Sequence, residues 1–180
     1  MRILAISGSI RPDSYNTALL RAAAKLAPQG MHVTLYDGLH DLPVFVPDAD
    51  DNNMPGAVKS FLSRVKKADG VIIGTPEYAH GLSGVLKNAL DWFVASDAFV
   101  LKPVVATSVS TSALGGARGN IALLLTLSAM NAQVVTDGSL TVPFAKRRFG
   151  DDGELVDEIT RDAVKVSLAA LARAINENSA

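Results

Sequence analysis

The stretch Ile3-Leu4-Ala5-Ile6-Ser7-Gly8-Ser9-Ile10-Arg11-Pro12-Asp13-Ser14-Tyr15-Asn16-Thr17-Ala18-Leu19-Leu20 decides the fold. Its first four residues form an apolar run of strand length, and its end opens a helical pattern over residues 16–26. A buried strand therefore passes through one polar loop straight into a helix. The same order recurs. Apolar, often β-branched runs stand at residues 32–36, 71–74, 104–109 and 134–135, and helical patterns cover 55–67, 84–95, 118–130 and 155–175. In the last of these Val164, Leu168, Leu171 and Ile175 make one apolar stripe.

Strict alternation of strand and helix calls for a parallel sheet covered on both faces, because each right-handed crossover lays its helix on one side or the other. Five such units fit the flavodoxin-like strand order 2-1-3-4-5. The 180 residues suit a single domain spanning 1–180, and 48% hydrophobic against 19% charged residues is the composition of a packed globular protein. With 17 basic and 18 acidic residues the net charge is -1, so no broad positive field exists to attract nucleic acid or an anionic membrane. The absence of cysteine removes disulfides and thiolate chemistry, and Met1 leads into a strand without a secretory leader, so a cytoplasmic protein is expected. The uncharged run 119–136 is broken by Asn120, Ser128, Asn131 and Gln133 and reads as a buried helix entering a strand.

In a sheet of this order, ligands bind beyond the carboxyl ends of the strands where the order reverses, so the loops after strands one, three and four carry the chemistry. The first places Ser9, Arg11, Ser14, Asn16 and Thr17 before a helix N-terminus, whose unpaired N–H groups and partial positive charge favour an anion. The competing reading has Ser14 or Asn16 simply capping the helix and Arg11 in solvent. Neither the dinucleotide nor the triphosphate glycine pattern is present, and a phosphate held by hydroxyls suits a mononucleotide such as FMN.

The third-strand loop reads Thr75-Pro76-Glu77-Tyr78-Ala79-His80-Gly81-Leu82-Ser83-Gly84 and continues Val85-Leu86-Lys87-Asn88-Ala89-Leu90-Asp91-Trp92. This segment resembles the P-E-Y-N-x-S-x-P-G-x-L-K-N-A-[IL]-D-W signature of the NAD(P)H-dependent FMN reductases, a family that includes bacterial quinone and chromate reductases. The first loop matches that family's G-S-x-R-x-x-S-x-N. Gly115-Gly116-Ala117-Arg118 and Phe149-Gly150-Asp151-Asp152-Gly153-Glu154-Leu155 extend the resemblance over nearly the whole chain.

The resemblance implies non-covalent FMN, with Ser9, Arg11, Ser14, Asn16 and Thr17 on the phosphate and the backbone of Pro76, Glu77, Tyr78, Ala79, His80 and Gly81 along the isoalloxazine. It implies NADPH or NADH as donor and a small acceptor: a quinone, chromate, an azo compound or free flavin. No catalytic side chain is required, because the hydride lands on the flavin. Ala79, Gly81 and Ser83 stand where the family has Asn, Ser and Pro, so side-chain contacts are expected to be missing there and the loop to be less stiff.

Ser110 with Gly115 and Gly116 forms a small-residue loop that either approaches the ring or is an ordinary turn. Likewise, Lys146-Arg147-Arg148 is a solvated turn or an attractor for the 2′-phosphate of NADPH. His80 is expected to be a wall of the flavin site, whereas His32 and His40 lack partners at metal-ligand spacing. A homodimer or homotetramer is expected from the resemblance, from the long loop 37–53 as lid or subunit contact, and from apolar Leu90, Trp92, Phe93 and Phe99; the alternative puts these aromatics in the monomer's own core. A flavodoxin-like electron carrier serving protein partners is the competing function, disfavoured by near-neutral charge. A serine hydrolase lacks its nucleophile elbow.

Overall fold

The computed structural model describes residues 1–47 and 53–178. Strands β1 (Arg2–Ser7), β2 (His32–Tyr36), β3 (Gly70–Thr75), β4 (Pro103–Val109) and β5 (Gln133–Val134) lie parallel in the order β2-β1-β3-β4-β5. The expected doubly covered sheet is thus present, with one refinement at its edge. The fifth position is filled by two short segments: β5 pairs with the start of β4, and a further strand β6 (Leu140–Val142) pairs with Thr107, Ser108 and Val109 at its end. A 3-10 turn at Thr136–Gly138 breaks the run between them.

Every residue of β3 and β4 is buried, as central parallel strands require. The helices α1 (Tyr15–Leu26) and α5 (Glu158–Glu177) cover one face, and α2 (Gly56–Lys67), α3 (Gly84–Asp91) and α4 (Ala117–Ala129) the other. Each face has its own core: Leu19, Leu20, Ile72, Val105 and Leu168 on the first; Phe61, Ile73, Leu86, Phe93 and Leu127 on the second. Leu90, Trp92, Phe93 and Phe99 are all buried in the second core, so the aromatics around the end of α3 fill the subunit's interior. Fully burying one such side chain stabilises by roughly 1.5–3 kcal/mol.

Two helices begin or end away from their expected bounds. The third stops at Asp91, where Trp92 leaves the helix and sends its Nε1–H to the Pro43 carbonyl at 3.0 Å. The last starts at Glu158, because Asp157 caps it by accepting from the Thr160 amide at 2.8 Å, while Leu155 pairs back onto Phe149. No helix among the described residues is long and apolar enough to cross a membrane.

Candidate functional site

Where the loop after β1 leaves the sheet, Gly8 donates its amide to the Gly74 carbonyl at 2.7 Å, and a Cβ at Gly8 would come within 2.8 Å of Leu86 and 3.1 Å of the Gly74 carbonyl oxygen. Only glycine lets the first loop cross β3 this closely. Beyond it the hydroxyls gather: Ser7 Oγ and Thr17 Oγ1 are 2.7 Å apart, and Ser9 Oγ accepts the Arg11 amide at 3.3 Å. Ser14 is the N-cap of α1, accepting from the Thr17 amide at 3.5 Å, which leaves its own O–H free to turn outward. The amides of Tyr15 and Asn16 and the guanidinium of Arg11 have no partner among the described residues. Capping by Ser14 therefore leaves two amides and a guanidinium unpartnered at the same helix N-terminus.

Asn16 is placed differently from expectation. Its side chain is buried, its Oδ1 accepts the Val109 amide at 2.9 Å and its Nδ2 donates to the Val109 carbonyl at 3.2 Å. Since β3 pairs with β4 only as far as Thr75 and Ser108, the carboxamide extends the ladder by one residue beyond the end of β3. The carboxamide is a clasp between α1 and β4. What Asn16 offers a phosphate is its backbone N–H.

The loop after β3 is a tight hairpin. Tyr78 and Gly81 exchange both backbone hydrogen bonds, at 3.1 and 2.9 Å, and the two residues between them, Ala79 (φ 49) and His80 (φ 62), are left-handed. Positive φ at both central positions is the signature of a type I′ turn, which Asn and Gly adopt easily and Ala does not. The loop is a defined structure, and its stiffness has identifiable sources. Ser83, standing for the family's Pro, donates to the Gly8 carbonyl at 2.5 Å and caps α3 by accepting from the Leu86 amide at 3.3 Å. That replaces a rigid ring with two hydrogen bonds, one tying the third-strand loop to the first and one capping α3.

Glu77 provides the second tie. Its Oε2 accepts from the amides of Arg118 (2.9 Å) and Gly119 (3.1 Å), so the carboxylate sits on the N-terminus of α4, where the dipole favours it. The Gly119 amide above all, then the His80 and Arg118 contacts, hold its carboxyl below the usual carboxylate range. A Cβ at Gly119 would press on Glu77 and the Pro76 carbonyl at 3.1–3.2 Å, so a side chain there would have to push the third-strand loop back by a few tenths of an ångström. His80 Nδ1 lies 3.4 Å from Glu77 Oε1 and 3.1 Å from Arg118 Nη1. Pro76 is buried and Tyr78 exposed, so the ring of the motif faces outward while its carboxylate is the anchored group.

After β4, Ser108 Oγ donates to the Gly115 carbonyl at 2.8 Å, and Ser110 Oγ donates to Ser112 Oγ at 3.1 Å. Gly115 (φ 61) and Gly116 (φ 84) are both left-handed; a Cβ on Gly115 would come within 2.9 Å of Val142 and Pro143. Its glycine is thus required by β6, whatever else approaches. Of the basic run, Arg148 pairs with Asp157 at 2.8 Å and Arg147 lies over Phe144, 5.5 Å from the ring centre.

Sequence reasoning missed what holds the long loop. Asn88 accepts the Phe45 amide at 2.8 Å and donates to the Pro43 carbonyl at 2.9 Å, so part of the K-N-A-L-D-W segment clasps residues 43–45 against α3. Residues 48–52 of the expected lid or subunit contact lie outside the described residues. Asn120, in the first turn of α4, is buried with Nδ2 unpaired among the described residues. A buried amide gives no periodic signal by which a sequence would reveal it.

The donor set fits the phosphate monoester and polar ring edge of FMN. Ser9, Ser14 and Thr17 hydroxyls, Arg11 and two free amides surround one helix N-terminus, and the amides of Ala79 and His80 at the hairpin tip are unused among the described residues. The three loops are one surface, joined by Ser83 to Gly8, Glu77 to Gly119 and Asn16 to Val109.

Known proteins resemble this chain over nearly its whole length. A Pseudomonas aeruginosa NAD(P)H-dependent FMN reductase is 33% identical over 173 residues, covering 95% of this chain and 93% of that protein. An Escherichia coli quinone reductase is 29% identical over 174 residues, covering 94% and 93%. The solved structure of FerB, a flavoenzyme NAD(P)H:(acceptor) oxidoreductase from Paracoccus denitrificans, superposes with a TM-score of 0.85 at 25% identity over 98% of this chain and 97% of that one. The family model described as NADPH-dependent FMN reductase matches residues 1–147, and with the relatives above it shows that this chain belongs to the NADPH-dependent FMN reductase family.

Proposed function

We propose that this chain takes a hydride from NADH or NADPH onto non-covalently bound FMN and delivers the electrons to a small acceptor such as a quinone, chromate, an azo compound or free flavin. When bound, FMN supplies a ring that accepts a hydride and gives up electrons, and the protein's part is to orient the ring and exclude side reactions. Ser9, Arg11, Ser14, Thr17 and the amides of Tyr15 and Asn16 take the phosphate. The backbone from Pro76 to Gly81 borders the ring's polar edge, with His80 as a wall, and Ser110, Gly115 and Gly116 form the opposite side.

The observation that carries this reading is the convergence of the three loops, each hydrogen-bonded to another, on a helix N-terminus with free amides and an unpaired arginine. Among the described residues no group of three or more His, Cys, Asp or Glu is arranged to hold a metal. The chain works as a single cytoplasmic domain and assembles as a homodimer or homotetramer. With the α3 aromatics buried, what supports assembly is the exposed apolar set Leu114, Ile121 and Leu125 on and before α4, beside the Glu77–Arg118 contact.

Purified protein supplied with FMN is expected to oxidise NADH or NADPH at a rate set by added quinone. A protein that binds FMN yet turns over with none of the four acceptor classes would refute the reading and return the electron-carrier alternative.

A further inference from the structure

On the α1 side of the phosphate loop a groove of about 570 Å³ runs between residues 12–21 and residues 146–153. That volume is within the range of small-ligand sites, which is roughly 300–1,000 Å³. Residues 12–15 are at once the outer wall of the phosphate loop and the near wall of the groove, so the two sites adjoin without a gap. We infer that this groove receives the adenosine diphosphate half of the reduced nicotinamide nucleotide and selects NADH over NADPH, an inference that rests on the function proposed above.

The walls match the parts of such a ligand. The ring of Tyr15 packs on Phe149 at 5.4 Å with a 40° tilt, making an aromatic wall for a purine. Arg21 from α1 and Lys146 from the opposite wall have no ion-pair partner among the described residues, and a diphosphate between them would neutralise both. Asp13, Asp151 and Asp152 also line the groove. Asp152 Oδ1 accepts the Glu154 amide at 2.9 Å and shapes the turn, which leaves Asp13 and Asp151 as acceptors for ribose hydroxyls.

These carboxylates decide between the nucleotides. A 2′-phosphate adds roughly 1.5–2 negative charges at neutral pH, in a groove where three carboxylates already face two cations. The basic run does not offset them: Arg148 is paired with Asp157 and Arg147 is turned onto Phe144, so only Lys146 of the three reaches the groove. A ribose diol is accepted where its phosphate ester is repelled.

Calorimetry on the FMN-loaded protein with ADP and with its 2′-phosphate tests this without turnover. ADP is expected to bind several-fold more tightly than the 2′-phosphate and to be displaced by NADH. In the Asp13→Asn, Asp151→Asn double variant the KM for NADH should rise about tenfold, near the low end of what a charge-assisted hydrogen bond contributes, and the gap between NADH and NADPH should close, while flavin absorbance confirms an intact fold. Lys146→Ala should weaken both nucleotides. Absence of ADP binding, or a double variant with the parent's NADH-to-NADPH ratio, would overturn the assignment. A protein that binds ADP but oxidises neither nucleotide would instead count against the proposed function.

Discussion

Replacing Asn16 by Ala tests whether this residue is a clasp or a ligand. The substitution removes two hydrogen bonds, at 2.9 and 3.2 Å, and leaves both backbone groups of the buried Val109 without partners at the end of β4. An orphaned buried polar group costs about 1–3 kcal/mol, and water entering the vacated space recovers part of it, so the net loss is about 2–4 kcal/mol. For a chain of this size 1 kcal/mol shifts Tm by roughly 2–4 °C, so the variant should melt about 5–15 °C below the parent. The measurement belongs on the flavin-free protein, by calorimetry or circular dichroism, since bound ligand adds its own stabilisation by mass action. Because the Asn16 amide survives the substitution, FMN affinity of the folded fraction should fall far less than stability does. A flavin-free Asn16→Ala protein melting within about 2 °C of the parent, with FMN binding strongly impaired, would refute the clasp and restore the side chain to the phosphate.

Arg11→Ala should weaken FMN binding by about 1.5–3 kcal/mol, the worth of a charge-assisted contact; fluorescence titration giving equal affinity in mutant and parent would remove Arg11 from the site. Glu77 has a folded-state pKa below its unfolded value, so the stability it contributes is complete above the ordinary carboxylate range and is lost as pH falls through the depressed value. Thermal melts between about pH 5 and pH 3 should therefore drop less steeply for Glu77→Gln than for the parent, and identical slopes would show that the carboxylate's charge does not hold the β3 loop on α4. Ala79→Asn should raise stability by up to about 1 kcal/mol, since Asn tolerates the left-handed conformation that Ala79 adopts at φ 49; a denaturant midpoint at or below the parent's would mean that the turn relaxes elsewhere.

The strand order was legible because it follows from alternation and handedness, which composition and periodicity carry directly. The runs at residues 71–74 and 104–109 are rich in Val and Ile and carry no charge, and every residue of both is buried, the pattern of central parallel strands. The split fifth position was not legible, since Leu140–Val142 is only three residues long and is a strand solely because the end of β4 offers it a partner. In the candidate site, the polar loop before α1 could be read from its hydroxyls and its place before a helix. The side chains that bind the loops together could not: Asn16 reaches Val109, Glu77 reaches Gly119 and Asn88 reaches Phe45, and contacts between such distant residues leave no local spacing. Ser83 was visible only as a departure, although a serine directly before a helical pattern is itself an N-cap signal.

The three departures in the third-strand loop have different physical consequences. Ser83 compensates for the lost proline, since its two hydrogen bonds fix the start of α3 and the edge of the first loop together. Gly81 has no need of a side chain for the turn, whose closing bonds to Tyr78 are made by its backbone. Ala79 alone is uncompensated: it keeps a left-handed conformation that costs an L-residue with a Cβ roughly 1–2 kcal/mol. Strain of that kind persists only when the surroundings over-determine it. Here they do so on both sides, through Glu77 anchored on α4 before the turn and Ser83 anchored on Gly8 after it. The hairpin tip is therefore held in a shape that leaves the amides of Ala79 and His80 unpaired among the described residues, available as donors to the ring edge proposed above.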